Sequence, residues 1–204
     1  MASSELTGWS GSRLAGMSVR RPHVLGVDDG PFQKRQPEPV PLVAVMMEGA
    51  DLVESVAVNG FAVDGAEITA HLVEWIRSLR AFPALQAVLL GGITIAGLAI
   101  VDITALTLAL GVPVLVATRR DPSRSRVCAA LEAAGLAERI EIVERTPQAT
   151  PLGSGLFVAA AGATPEQAGR IVRATVRKGA FPEPLRVAHM IGRAIVDGES
   201  RGRP

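Results

Sequence analysis

The chain has 204 residues, with 21 Lys/Arg against 20 Asp/Glu and a formal charge of +1. So even a balance excludes a global electrostatic pull toward nucleic acid, and any such site must be a local patch. Apolar residues make up 48% and aromatics only 3%, with no Tyr, so aliphatic side chains must fill the core of one domain.

The single cysteine, Cys128, excludes an internal disulfide and fits a reducing, cytoplasmic setting. In its Val-Cys-Ala-Ala-Leu context it reads as a small buried hydrophobe. The longest apolar run, residues 87–101, carries Gly91, Gly92 and Gly97, so it suits a buried strand and turn better than a membrane span. Residues 1–20 are rich in Ser and Gly and lack a signal-peptide core; they read as a disordered arm. Residues 21–198 are expected to form one domain, and 199–204 a loose tail. Oligomeric state is not legible in the pattern.

Val24, Leu25 and Val27 form a short apolar run closed by Asp28-Asp29-Gly30-Pro31, the pattern of a buried strand ending in a turn. Strand side chains alternate, so only one of the two carboxylates can face a given cleft. After a Pro-rich loop, residues 42–47 and 53–63 read as two further strands, with Asn59-Gly60 as a candidate bulge. Short turns between three successive strands imply an antiparallel meander.

Residues 67–80 read as a helix with Ile68, Leu72, Trp75 and Leu79 on one face and His71 on the solvated other. Residues 87–90 are a fourth strand ending at Gly91-Gly92. Asp102 caps a helix that Gly111 ends, and residues 112–118 return as a fifth strand. A strand, helix, strand passage of that length implies a parallel pair with a right-handed crossover. Asp121-Pro122 has the form of an N-cap followed by Pro at the first helical position. Residues 139–145 alternate as an edge strand would, and 146–154 read as a loop before a short strand at 156–161. Thr164 to Gln167 has the capping-box form. The helix it opens carries Arg170, Arg173 and Arg177, as either a solvated face or a phosphate-contacting stripe. A last helix follows Pro182-Glu183-Pro184, with Ala188, Ile191 and Ile195 on its apolar side. This element order is that of the ribonuclease-H-like fold, an α/β mixed sheet with helices on both faces.

Hard divalent cations take carboxylate oxygens, and rigid strand ends place such ligands within reach of solvent. Asp28 ends the first strand and Asp64 the third, so the two can approach one another. Asp64 also fits a helix cap, because Asp64-Gly65-Ala66-Glu67 has capping-box spacing. His189 lies on the border between the apolar and basic sides of the last helix. It can reach a cleft edge there, or sit at the edge of the core on a backbone carbonyl. No zinc spacing, P-loop or dinucleotide fingerprint occurs.

Five stretches carry a resemblance. They are Val-Leu-Gly-Val-Asp-Asp-Gly-Pro-Phe at 24–32, Val-Asp-Gly-Ala-Glu-Ile-Thr at 63–69, the run from Gly91 to Asp102, Pro-Glu-Pro-Leu-Arg-Val-Ala-His at 182–189, and Gly-Glu-Ser-Arg-Gly-Arg at 198–203. In this order, over about residues 20 to 203, they resemble an archaeal family, domain of unknown function 99. That family is similar to endonuclease V, a magnesium-dependent nuclease of ribonuclease-H-like fold that cuts DNA or RNA near hypoxanthine.

The resemblance implies a metal-binding role for Asp28 and for Asp64, and a site role for His189. It puts Arg119 where endonuclease V carries a Lys after the fifth strand. It implies Mg2+ or Mn2+, weakly bound, and DNA or RNA as partner. Lys34, Arg35, Arg119, Arg120 and Arg186 are then the expected basic rim. Two departures stand out: Gly91-Gly92 replaces an Asp-Gly, and residues 54–60 lack the Pro-Tyr-x-Pro wedge. Glu67 or Asp102 is a candidate replacement for the missing acid. The expected function is a nucleic-acid-acting protein with a reduced metal site, and the alternative is a binding or interaction domain without nuclease chemistry.

Overall fold

The computed structural model describes residues 21–200; the arm expected at 1–20 and the end of the tail at 201–204 lie outside the described residues. A seven-stranded mixed sheet runs in the order β3-β2-β1-β4-β7-β9-β8. Strand β1 (His23–Asp29) pairs antiparallel with β2 (Val40–Glu48), and β2 pairs antiparallel with β3 (Leu52–Phe61). On its other side β1 runs parallel to β4 (Ala87–Leu90), which runs parallel to β7 (Val114–Thr118). A two-residue-per-strand hairpin, β5 (Thr94–Ile95) and β6 (Ala99–Ile100), stands apart from this sheet.

Both faces are covered, which is why β1 and β4 are apolar on alternate and on successive residues alike. Leu25 and Val27 enter a core with α1 (Ile68–Ser78) and α2 (Ile103–Leu110). Val24 and Leu89 point the other way, beneath α5 (Pro165–Ala174) and α6 (Glu183–Asp197). Helix α2 links the parallel strands β4 and β7, capped by Asp102 and ended by Gly111 at φ 68. Both halves of the capping box at Thr164 and Gln167 are made.

Glycines set the height of α6 above β1. A methyl group at Gly26 would lie 2.4 Å from the Pro184 carbonyl carbon, and one at Gly192 would lie 3.1 Å from the Gly30 Cα. Backbone meets backbone at both ends of the contact, and His189 lies between them.

Several local expectations give way to tertiary contacts. Residues 139–145 are not an edge strand: a 3-10 turn at Ala137–Arg139 leads into α4 (Ile140–Arg145). Ile140 and Val143 are also helically spaced, and Val143 packs with Leu131 and Ile100. The edge strand is β8 (Thr150–Gly153), in the expected loop, joined to β9 (Leu156–Ala161) by Ser154-Gly155 at φ 53 and 73. Two left-handed central residues make this a hairpin turn of the primed type. Helix α3 (Arg124–Ala133) is capped by Ser123 rather than Asp121. The bulge falls at Met46/Met47 opposite β3, not at Asn59-Gly60. His71 is half-buried against Phe61, with ring centroids 5.0 Å apart, rather than solvated. Cys128 is half-buried on α3.

Candidate functional site

Strand β1 delivers Asp28 and Asp29 to its C-terminal end, one to each face. Asp28 points toward α6, where its Oδ2 lies 3.0 Å from His189 Nδ1 across 161 residues of sequence. The two side chains are 22% and 25% exposed, so the pair is sheltered but reachable. An ionised carboxylate only accepts, so in this contact Nδ1 donates and Nε2 is left facing away from Asp28. Beside them, a methyl group at Gly91 would lie 3.3 Å from Asp28 Oδ1. Gly91 is therefore the neighbour across which a further acid would have met Asp28.

Asp29 serves the opposite face. Its Oδ2 accepts the Ala96 backbone N–H at 2.7 Å. Burial, then the negative charge of Asp28, push its carboxyl up from 3.8 to about 6, against the pull of the Ala96 hydrogen bond.

Asp64 also grips the tip of the β5–β6 hairpin. Its Oδ1 accepts the Leu98 N–H at 2.6 Å, and its own N–H donates to the Ala96 carbonyl at 2.9 Å. Arg139 Nη1 adds a bond to the Leu98 carbonyl at 2.8 Å. Gly97, at φ 98, is required: a methyl group there would come within 2.3 Å of Asp64 Oδ1. Asp64, Glu67 and Ala96 all have left-handed backbones, at φ 52, 61 and 48. Strain of this kind gathers where the surroundings over-determine the chain, often at functional sites.

Asp64 does not cap α1: Glu67 holds the N-cap position, with no side-chain capping bond and its carboxylate exposed. Asp102 is occupied, accepting from Thr104 N and Ala105 N and from Arg145 at 2.7 Å. Arg186 is folded back on buried Glu183, at 2.6 Å, and that hydrogen bond raises its pKa. It clamps the first turn of α6 rather than standing free on a rim. Arg119 lies over the Phe181 ring, 5.0 Å from its centroid. Lys34, Arg35, Arg119 and Arg120 are exposed on loops after β1 and β7.

Beyond the ends of β4 and β7 opens a pocket of about 640 Å³. Val116 and Val143 line its apolar side, while Thr94, Ser125 and Gln148 supply polar groups and Gly91-Gly92 form the wall nearest Asp28. The pair Gly91-Gly92 was its one sign in the sequence. Among the described residues no three His, Cys, Asp or Glu converge on a point where a metal could sit. One carboxylate beside an imidazole fits a cation whose remaining ligands are water and substrate phosphate, the habit of magnesium, and does not fit an all-protein cage.

The model of the endonuclease dU family matches residues 20–196. The chain belongs to that family. It is 34% identical over 193 residues to a UPF0215 protein of Methanothermobacter thermautotrophicus, covering 88% of this chain and 90% of that one. It is 39% identical over 183 residues to a UPF0215 protein of Thermococcus gammatolerans, covering 87% and 93%. Among solved structures, a protein of unknown function from Archaeoglobus fulgidus superposes with a TM-score of 0.79 at 29% identity, covering 86% of this chain and 98% of that one. Endonuclease V of Ciona intestinalis, solved with a 24mer DNA containing an inosine, superposes with a TM-score of 0.57 at 14% identity, covering 89% of each chain. At that identity the likeness is one of fold. The endonuclease dU family thus shares its mixed sheet with endonuclease V.

Proposed function

We propose that this chain is a divalent-metal-dependent endonuclease of ribonuclease-H-like fold that cuts DNA beside a deaminated base, with deoxyuridine as the preferred lesion. The observation that carries the reading is the Asp28–His189 pair, 3.0 Å apart at the end of β1, with Gly91 as the wall between it and a pocket roomy enough to admit a nucleobase. The family's description names the lesion, and the endonuclease V relative bound to inosine DNA supports the substrate class.

Asp28 would hold Mg2+ or Mn2+ weakly, with water and substrate phosphate completing the coordination, because Asp64 is committed to the β5–β6 hairpin on the side that Asp29 serves. A cation bound there supplies charge neutralisation at the phosphate and an acidified water. The chain's own residues do the rest. Asp28 fixes the His189 ring so that Nε2 can hold or accept a proton at the scissile linkage. Gly91, lacking a side chain, leaves the phosphate room beside Asp28. The pocket receives a base turned out of its stack. Uracil and hypoxanthine both present a ring N–H beside a carbonyl, and the Gln148 amide offers the matching acceptor and donor. Exposed Lys34, Arg35, Arg119 and Arg120 would meet the backbone.

Cleavage of single- and double-stranded oligonucleotides carrying one deoxyuridine, one deoxyinosine or neither, with magnesium or manganese, tests the reading. Metal-dependent cutting near deoxyuridine is expected, falling on the order of 10²-fold or more in Asp28→Asn and His189→Ala. Cutting that ignores both substitutions would overturn the site. Tight binding of the deoxyuridine strand without cutting would instead favour a binding module, the reading to which Gly91 in place of an acid points.

A further inference from the structure

Strand β3 is the edge of the sheet, ten residues long, and its outer backbone groups face no neighbour in the sheet order. Its register carries an apolar row out from the core. Val58 pairs with Val43, Val56 with Val45, and, past the bulge, Val53 with Met47. Val43, Val45 and Met47 are buried beneath Ala188, Val187 and Ile191 of α6. Their β3 partners lie on the same face but beyond that helix, and are 43%, 48% and 52% exposed for Val53, Val56 and Val58. Of the seven large hydrophobics exposed among the described residues, four, Leu52 included, belong to this one strand.

Soluble proteins blunt such an edge with Lys, Pro or an unpaired charge. Residues 52–61 contain no Lys and no Pro. The one charge, Glu54, is turned inward to His23 at 2.7 Å. The strand's one charge is thus paired within the chain, and the edge is apolar on one face and, among the described residues, open in its hydrogen bonding.

We propose that β3 is a dimerisation edge, pairing antiparallel with β3 of a second copy of this chain about a two-fold axis at Ala57. The strand is complementary to itself about that point. Val56 of one copy then stands opposite Val58 of the partner subunit, and Glu54 stands opposite Gly60 of the partner subunit, so no like charges face each other. A two-fold axis perpendicular to the sheet keeps both valine rows on one face, where they form a single strip between the two α6 helices. One interface therefore satisfies the open backbone groups and covers the exposed valines together. Asp28 lies two strands inward, on β1, and stays open.

Sedimentation velocity of the whole chain across the micromolar range should give the mass of two chains. Val56→Lys combined with Val58→Lys should give one, with unchanged far-UV circular dichroism, because both side chains already face solvent. Independently of whether that variant folds, Ala57→Cys in a Cys128→Ser background should form a disulfide-linked dimer under mild oxidation. Opposed Cα atoms in an antiparallel pair lie about 4.5–5.5 Å apart, which suits a disulfide. Leu108→Cys in the same background is more exposed than position 57 but lies on α2, away from the edge, and should form no disulfide-linked dimer. A wild-type monomer throughout the range, a dimer indifferent to the lysines, or crosslinking no better at 57 than at 108 would overturn the proposal.

Discussion

Asp28 and Asp29 are neighbours with opposite duties. Asp28 meets His189 on one face, and Asp29 holds the β5–β6 hairpin on the other. Asp29 has the less favourable position, with its carboxyl pushed up to about 6 by burial and by Asp28. A raised carboxyl pKa stabilises the fold fully below the unfolded value, and that contribution is lost as pH rises through the folded value. Between about pH 4 and 6 the wild type should therefore lose stability relative to Asp29→Asn, whose amide oxygen can still accept the Ala96 N–H. The difference should level off near neutrality at up to about 3 kcal/mol. Thermal melts of both proteins at a series of pH values, in chelator, check this; parallel curves would show that Asp29 carries no such burden. Gly91→Asp tests the other neighbour of Asp28. Without metal it should lower Tm near pH 7, because two carboxylates would crowd one spot. Added Mg2+ should recover the loss and bind more tightly than in the wild type, as titration calorimetry would measure.

At the scale of elements, α6 matters because it brings position 189 over position 28, and glycines allow its approach. Gly26→Ala would force a methyl group to within 2.4 Å of the Pro184 backbone. It should cost about 1–3 kcal/mol or more by overpacking and move His189 off Asp28. Denaturant unfolding should show the loss, and deoxyuridine cleavage should fall even where the protein is folded. The elements themselves were largely legible. β1, β4, β7, α1, α2 and α5 follow from apolar runs, helical periodicity and caps at Asp102, Gly111 and Thr164. The misreadings lie where local pattern is ambiguous. Arg139–Arg145 alternates and is also helically spaced, and contact with Leu131 decided for α4. The hairpin grip of Asp64 could not be read locally, because its partner is the Leu98 N–H, 34 residues away. The meeting of Asp28 and His189 was anticipated through resemblance to a family, since no spacing rule joins residues 161 apart, but Asp64, expected beside them, is drawn instead to the β5–β6 hairpin that Asp29 holds.

For the whole molecule, a net charge of +1 means that long-range attraction contributes little and nucleic-acid affinity must come from the few cations near the site. The fold divides the expected rim into two kinds. Lys34, Arg35, Arg119 and Arg120 are exposed, whereas Arg186 is bonded to Glu183 inside the first turn of α6. The two kinds should fail differently. Each lost phosphate contact lowers the dependence of log K on log salt by about 0.9 for duplex DNA and 0.7 for single strands. Arg119→Ala and the pair Lys34→Ala with Arg35→Ala should thus weaken binding to any sequence and flatten the salt slope, with Tm nearly unchanged. Arg186→Ala should leave the salt slope intact and lower Tm, because Glu183 would remain buried without its partner. Fluorescence anisotropy with a labelled deoxyuridine strand over a salt series, beside thermal melts, separates the two. A salt slope that falls with Arg186→Ala and not with Arg119→Ala would place the nucleic acid along α6 instead of across the ends of β1 and β7.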